Sequence, residues 1–214
     1  MFEIIAQNME LFVVFMNKGG LVMWVLFVLN LLLWYGLGYR YLTLHRGTMG
    51  NVRRLVEKHE QRGENKEFKG LLDYAVADAL KAYKESKGIS KIGRNYVTDA
   101  LFEYNIVIKK YSTLIKTIIV LAPLIGLLGT VMGMIETFDA LQSSSMFSQG
   151  ASISGGISKA LFTTELGLVV AVPGLIIGRI LDKKQQRFAL EFEQITDIIC
   201  TKDDKWDLDQ KSKM

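Results

Sequence analysis

The stretch ALFTTELGLVVAVPGLIIG, residues 160–178, decides the fold class of this chain. Its only charged residue is Glu165, and its length is close to the roughly 20 residues that a helix needs to cross a bilayer. Polar groups inside hydrocarbon are costly and usually face protein or water. Thr163, Thr164 and Glu165 nevertheless lie side by side within it. The stretch therefore predicts a membrane span that carries a functional polar site.

Two other stretches, residues 21–39 and 117–135, are uncharged and of similar length. Half of the 214 residues are hydrophobic, yet 26 are basic and 22 acidic, a mixture that indicates apolar spans separated by charged segments. Only two residues are Pro, which favours long helices. We therefore predict an all-α integral membrane protein with three transmembrane helices. The second and third of these are expected to extend as long helices into a helical cytoplasmic domain.

The basic residues are distributed unevenly, and their distribution predicts the orientation of the chain. Sixteen Lys and Arg lie at residues 40–116, and eight follow span three from Arg179 onward. By contrast, the first twenty residues contain only Lys18, and the segment between spans two and three contains only Lys159. Cytoplasmic loops carry the excess of Lys and Arg. We therefore expect the C-terminus to lie in the cytoplasm and the N-terminus to lie outside.

These patterns divide the chain into segments. They are an outer-face amphipathic helix at 1–18, transmembrane helices at 20–39, 113–141 and 157–181, a cytoplasmic helical domain at 40–112, an outer loop at 142–156, a cytoplasmic helix at 182–203 and a disordered tail at 204–214. From about Asn95 the helical pattern is expected to run into span two without a break before Pro123. After span three, one apolar face is expected to contain Phe188, Phe192, Ile195 and Ile199.

The composition also excludes several classes of protein. One cysteine, Cys200, rules out an internal disulfide framework, and one Cys with two His makes a structural zinc site improbable. The sequence contains no nucleophile–base set, metal cluster or phosphate-binding loop, so we expect neither catalytic residues nor a cofactor. The basic 40–116 region is interpreted as the positive-inside signature, not as a nucleic-acid site. The N-terminus lacks the features of a secretory signal, so the spans are expected to remain in the mature protein.

Small residues follow one face of each of spans two and three. Gly129 and Gly133 form a small-xxx-small pair, a motif that lets helix backbones approach closely. Such faces are typical of tight packing between the two helices or between subunits. Pro123 and Pro173 each free a backbone carbonyl within a span, which either kinks the helix or is tolerated. The predicted faces comprise Gly126, Thr130, Gly133 and Thr137 in span two, and Thr164, Gly167, Ala171, Gly174 and Gly178 in span three.

Two threonines on these faces, Thr130 and Thr164, are candidates for an ion pathway. Thr163 and Glu165, on either side of Thr164, are further candidates for the same pathway. At about 1.5 Å of rise per residue, Thr130 and Thr164 are both expected about 10 Å from the outer boundary, at matched depth. Each hydroxyl can bond its own i−4 carbonyl, which membrane helices tolerate, or can serve a passing proton, a cation or a partner's carboxylate. Glu165 points about 100° away from Thr164 and is too far from Lys159 to be its natural partner. Glu136 and Asp139 are interpreted as solvated interface residues.

The motif PLIGLLGTVMGMIETF at 123–138, followed by GISKALFTTELGLVVAVPGL at 156–175, resembles the signature of the ExbB/TolQ/MotA proton-channel family, nearest its ExbB branch. The resemblance implies a homopentamer in the bacterial inner membrane, with the N-terminus and the 142–156 loop in the periplasm. It also implies an ExbD-like single-span dimer in a pore lined by spans two and three, and coupling to a TonB-like protein. The family's two pore threonines correspond to Thr130 and Thr164.

The chain also departs from the pattern of that family. Lys159 replaces a glutamate that ExbB proteins often carry, and Thr163 and Glu165 replace alanines. The double threonine resembles sodium-driven stators, so the translocated ion is left open between H⁺ and Na⁺. The resemblance implies a motor-like channel subunit that couples ion flow to TonB-dependent transport. The alternatives are a TolQ-like or MotA-like stator for envelope constriction or motility, and a non-conducting membrane scaffold.

Overall fold

The computed structural model describes residues 2–45, 51–62, 70–86, 90–143 and 149–211. These residues form seven α-helices. They are α1 (Phe2–Lys18), α2 (Gly20–Thr43), α3 (Val52–Arg62), α4 (Leu71–Glu85), α5 (Ser90–Lys109), α6 (Ser112–Ser143) and α7 (Gln149–Lys211).

Three helical segments are long and apolar enough to cross a membrane. The first is α2, the second lies within Ile92–Gln142 and the third within Ile153–Thr201. Every regular element of the described residues is helical, and the third span continues within α7 into a long charged helix. The predicted fold class, an all-α membrane protein with three spans and long helices, is therefore confirmed.

The helix ends differ from the predicted segment boundaries. The predicted outer loop at 142–156 is mostly helical, because α6 ends at Ser143 and α7 begins at Gln149; its residues 144–148 lie outside the described residues. The predicted disordered tail is helical as far as Lys211, and its last residues, 212–214, also lie outside the described part. The continuity of α7 has a physical reason, since no Gly or Pro follows Gly178.

A second difference lies at the start of span two. The sequence predicts an unbroken helix from about Asn95, but α5 ends at Lys109 and α6 begins at Ser112. Tyr111 has a φ angle of 60°, in the left-handed region that L-residues other than Gly, Asn and Asp rarely occupy. The Lys110 N–H donates to the Val107 carbonyl at 3.2 Å, an i−3 bond that tightens the last turn of α5. The prediction of an unbroken helix was wrong.

The chain folds as two compact units. The first comprises residues 1–38 and 112–179, and it contains α1, most of α2, α6 and the first half of α7. Its buried side chains include Met23, Leu26 and Leu33 of α2, while Leu33 also lies against Gly174 of α7. Many large apolar side chains of this unit are exposed, among them Leu127 at 57% and Leu161 at 66%. Such surfaces are expected where lipid or another subunit replaces water.

The second unit comprises residues 39–111 and 180–214. Its core contains the predicted apolar face of α7, since Phe188, Phe192, Ile195 and Ile199 are all buried; that prediction is confirmed. Helices α4 and α5 also pack together here. A Cβ on Gly93 of α5 would lie 2.6 Å from the Tyr83 ring of α4, so a larger residue at position 93 would require that ring to move.

A hydrogen bond also joins α4 to α5 in the second unit. The Tyr104 hydroxyl donates to Oδ2 of Asp78. Burial, and then this hydrogen bond to the carboxylate, raise the pKa of Tyr104 above its ordinary value.

Candidate ion-conducting helix pair

The backbones of α6 and α7 approach closely in the first unit because glycines line the contact. A Cβ on Gly126 would lie 2.9 Å from the Thr163 carbonyl oxygen, and one on Gly133 would lie 2.8 Å from that of Gly156. A Cβ on Gly167 would lie 2.8 Å from the Ala122 carbonyl oxygen. The nearest atoms are backbone atoms, which cannot rotate away as a flexible side chain can. Glycine at these three positions is therefore a requirement of the helix pair.

Thr163 lies in the middle of this contact. Its side chain is fully buried, and a Cβ on Gly129 of α6 would overlap it. The Thr163 hydroxyl donates to the Ala160 carbonyl of its own helix at 2.9 Å. Thr163, which the sequence analysis left off the small-residue face, is thus a packing residue between α6 and α7.

Thr164 is half-buried at the edge of the same contact. Its hydroxyl donates across the helix pair to the Gly126 carbonyl of α6 at 3.3 Å. A threonine hydroxyl has one donor and two acceptor lone pairs. Because the donor is used between the helices, the lone pairs of Thr164 are left to accept a proton donor or to coordinate a cation.

Thr130 is also half-buried, and its hydroxyl donates to the Leu127 carbonyl at 2.6 Å. It does not face Thr164 directly. Gly126 contacts Thr164, whereas Gly133 contacts Ala160, so Thr130 lies about one helical turn, roughly 5 Å, closer to the Ser143 end of α6 than Thr164 does. The predicted matched depth is therefore wrong by about one turn, because the glycine contacts set the register and the assumed span boundaries do not.

The residues expected on the two small-residue faces divide into two groups. Gly126, Gly133 and Thr137 of α6 are buried, and the Thr137 hydroxyl donates to the Gly133 carbonyl at 2.9 Å. Thr130 and Thr164 lie at the edges of the contact. The expected residues of α7 that are buried are Gly167, Ala171, Gly174 and Gly178.

The charged residues of the helix pair do not cluster. Glu165 is exposed, and within the described residues it has no ion pair. Glu136, interpreted from the sequence as a solvated interface residue, is half-exposed and also accepts a hydrogen bond from the ammonium of Lys159, whose side chain is 22% exposed. The sequence analysis missed this pair, although the antiparallel register that relates spans two and three brings residues 136 and 159 to the same end.

The two prolines occupy different surroundings. Pro123 of α6 is half-buried, and its Cα would lie 3.4 Å from a Cβ on Gly167. Pro173 of α7 is also half-buried. Both helices continue past their proline without a break. The prolines thus lie inside continuous spans, where each removes one backbone donor.

Comparison with known proteins shows the family to which the chain belongs. Residues 53–194 match the MotA/TolQ/ExbB proton channel family. The chain belongs to this family. The matched range includes the whole of α6 and the part of α7 that contains Thr163, Thr164 and Glu165.

Named relatives place the chain nearest the ExbB branch of the family. The biopolymer transport protein ExbB of Aquifex aeolicus is 30% identical over 141 residues, which cover 60% of this chain and 92% of that protein. An ExbB-like 3 biopolymer transport protein of Synechocystis is 42% identical over 89 residues, which cover 41% of this chain and 42% of the relative. An ExbB-like 1 protein of Synechocystis is 47% identical over 79 residues, covering 35% and 30%. The chain thus spans less than half the length of both Synechocystis relatives.

Proposed function

We propose that this member of the proton channel family is an ion-conducting subunit of the inner membrane, with protons as the ion. Together with an ExbD-like partner, it couples the ion motive force to TonB-dependent transport at the outer membrane. The observation that carries the proposal is the Thr164 hydroxyl, which is held by the Gly126 carbonyl at the edge of the α6–α7 contact. Thr130 adds a second hydroxyl about one turn nearer the outer end.

A partner is needed because the helix pair has too few titratable groups. Between residues 117 and 178 the only carboxylates are Glu136, Asp139 and Glu165. Glu136 is paired with Lys159, and Glu165 is exposed away from the contact. A proton that crosses hydrocarbon requires a carboxylate or a similar relay. An aspartate on a partner helix, passing beside the two threonines, supplies the missing group.

The exposed apolar surface of the first unit supports assembly into a ring. Side chains of α6 and α7 that are exposed in the single chain include Leu127, Val131, Leu161 and Val169. Part of this surface faces lipid, and the rest is available to neighbouring copies and to the partner. We propose a homopentamer around an ExbD-like dimer, with a TonB-like protein as the recipient of the energy.

Ion flux in proteoliposomes tests the proposal. The full-length chain is reconstituted with its single-span partner, and internal pH is followed while a potassium diffusion potential drives uptake. Proton uptake that requires both proteins supports the proposal. Absence of any flux with a correctly assembled partner complex would leave the chain as a non-conducting scaffold.

A second candidate is a TolQ-like or MotA-like stator that conducts sodium. It is favoured by the adjacent Thr163 and Thr164, because hydroxyl oxygens can replace part of the hydration shell of Na⁺. The buried position of Thr163 and its bond to the Ala160 carbonyl weigh against a direct role of that hydroxyl in the pathway. Uptake that follows a sodium gradient and ignores a collapsed pH gradient would favour this alternative.

A further inference from the structure

Glu165 lies in the middle of an exposed apolar surface of α7. Around it, Leu161 is 66% exposed, Val169 59% and Val172 53%. Glu165 is exposed as well, and within the described residues its carboxylate has no ion pair or hydrogen bond. A carboxylate inside a membrane span is costly in lipid and usually faces protein or water. The surface around Glu165 therefore calls for a polar neighbour from outside the described residues of this copy.

Trp24 of α2 has the complementary need. Its side chain is 42% exposed, and its indole N–H has no hydrogen bond in the described part of the chain. The indole nitrogen is a donor only, and a polar group that enters apolar surroundings without a hydrogen bond costs free energy. Trp24 thus lacks an acceptor, whereas Glu165 lacks a donor.

The contact between Leu33 of α2 and Gly174 of α7 relates the positions of these two residues. A Cβ on Gly174 would lie 2.8 Å from the Leu33 side chain. Trp24 precedes Leu33 by nine residues, and Glu165 precedes Gly174 by nine residues. Nine residues rotate a helix by about 180° relative to its starting point. Both side chains therefore point away from the α2–α7 contact, in opposite directions.

The depths of Trp24 and Glu165 also agree, because α2 and α7 run in the same direction within the first unit. Near the start of α2, a Cβ on Gly19 would lie 3.3 Å from Cγ2 of Thr163. The Leu33 contact lies farther along both helices. Counted from either contact, Trp24 lies within about one helical turn, roughly 5 Å, of Glu165 along the helices.

A ring of identical copies would bring these two residues together. Copies in a closed ring share one level, and each presents one flank to the next copy and its other flank to the previous one. We infer that Glu165 is a subunit-contact residue whose carboxylate accepts a hydrogen bond from the indole N–H of Trp24 in the neighbouring copy. The inference rests on the homo-oligomer of the proposed function, but it does not depend on ion conduction.

This contact gives Glu165 a role in assembly. Hydrogen bonds to an ionised acceptor are stronger than those between neutral groups. The same bond satisfies the indole donor and the carboxylate acceptor, and the exposed apolar side chains around Glu165 cover it from lipid. A charged residue within span three is therefore explained without placing it beside Thr164 in the ion pathway.

Photo-crosslinking tests whether Trp24 meets a second copy or lipid. Trp24 is replaced by p-benzoylphenylalanine in the full-length chain, membranes that also contain the single-span partner are irradiated, and the adducts are mapped by mass spectrometry. We expect a covalent dimer whose linked peptide contains Glu165. The same replacement at Trp34, which is 52% exposed on α2 but ten residues farther along, should not link to that peptide. Adducts with lipid alone, or a dimer linked elsewhere, would overturn the inference.

A double-mutant cycle tests the hydrogen bond itself. Trp24→Phe removes the N–H but keeps an aromatic ring, and Glu165→Leu removes the acceptor. Oligomer dissociation in increasing detergent is followed by native mass spectrometry. In the parent, Trp24→Phe should weaken each contact by about threefold, equivalent to the roughly 0.6 kcal/mol of an interhelical hydrogen bond in a membrane. In the Glu165→Leu background it should have no effect, and Trp34→Phe should have none in either background.

An equal effect of Trp24→Phe in both backgrounds would contradict the inference. Proton flux through the same complexes separates this result from the proposed function. A parent complex that conducts but shows no coupling between Trp24 and Glu165 would overturn the contact alone. Coupling in a complex that does not conduct would support the contact and overturn the proposed conduction.

Discussion

Arg40 is the most deeply buried charged residue among those that the structure describes, with 2% of its side chain exposed. It lies in the last turn of α2 and belongs to the second unit. Its guanidinium donates to Oδ1 of Asp182 at 3.1 Å and to Oε1 of Gln185. Its Nε atom is buried without a hydrogen-bond partner in the described part of the chain. Arg40 therefore depends on Asp182 for the neutralisation of its charge.

The unequal burial of the two partners predicts unequal effects of mutation. Asp182→Asn should lower the free energy of unfolding by about 2 kcal/mol or more, because it leaves a buried guanidinium without a countercharge. Arg40→Met should cost less, since the Asp182 side chain is 27% exposed and can be hydrated. Thermal unfolding in detergent, followed by circular dichroism, compares the two variants. A larger loss for Arg40→Met would contradict this explanation.

The sequence identified the candidate threonines, but it did not predict their relative depth along the two helices. Residue type and position identified Thr130 and Thr164 as hydroxyls within adjacent spans. Their offset of about one turn could not be predicted, because the register depends on which glycine of one helix meets which backbone atom of the other. Periodicity alone also could not show that Thr163 occupies the contact, since adjacent residues lie only 100° apart on a helix.

At the scale of the elements, the α6–α7 contact depends on individual glycines. Gly126→Ala should destabilise the protein by about 1–3 kcal/mol, because its Cβ would be forced against the Thr163 carbonyl. Gly155→Ala is the matched control on α7. A Cβ there has no atom within 4 Å, and alanine favours helix over glycine by up to about 1 kcal/mol.

The same detergent unfolding measurement tests the glycine prediction. We expect a lower midpoint for Gly126→Ala and an equal or higher midpoint for Gly155→Ala. Equal midpoints for the two variants would show that α6 and α7 do not pack at Gly126 as described.

The existence of the helices was predictable, whereas several of their ends were not. Apolar length and the scarcity of proline identified the three spans, and the period of α7 identified its buried face. The break between α5 and α6 has no Gly or Pro to mark it, because Tyr111 itself takes the left-handed conformation. At this break the Tyr111 ring contacts Tyr39, which is distant in sequence. Helix propensity is a local property, so it could not predict a break that accompanies a long-range contact.

At the scale of the whole molecule, the distribution of basic residues predicts the orientation in the membrane. We expect the N-terminus to be periplasmic and residue 45 to be cytoplasmic. In a Cys200→Ala background, Gln7→Cys and His45→Cys place single thiols at exposed positions of α1 and just after α2. A membrane-impermeant maleimide should label Gln7→Cys in intact spheroplasts and His45→Cys only after permeabilisation. The reverse pattern would invert the proposed topology.

The chain belongs to the MotA/TolQ/ExbB proton channel family, and we propose that the α6–α7 helix pair contains its ion site. The central claim is that the Thr164 hydroxyl lies on the wall of the ion pathway. Thr164→Ala removes the hydroxyl, and Thr164→Ser retains it. As a control, Thr163→Val replaces the neighbouring hydroxyl, which is buried in the helix contact, with a methyl group. Loss of the interhelical bond alone should cost only about 0.6 kcal/mol of stability, so all three complexes are expected to assemble.

Proton flux through the reconstituted complex with the single-span partner is the measurement that tests this claim most directly. We expect Thr164→Ala to lower flux by at least about tenfold, the effect of roughly 1.4 kcal/mol on a barrier. Thr164→Ser and Thr163→Val should conduct within about twofold of the parent. Full flux through an assembled Thr164→Ala complex, or an equal loss in Thr163→Val, would contradict the assignment of Thr164 to the pathway.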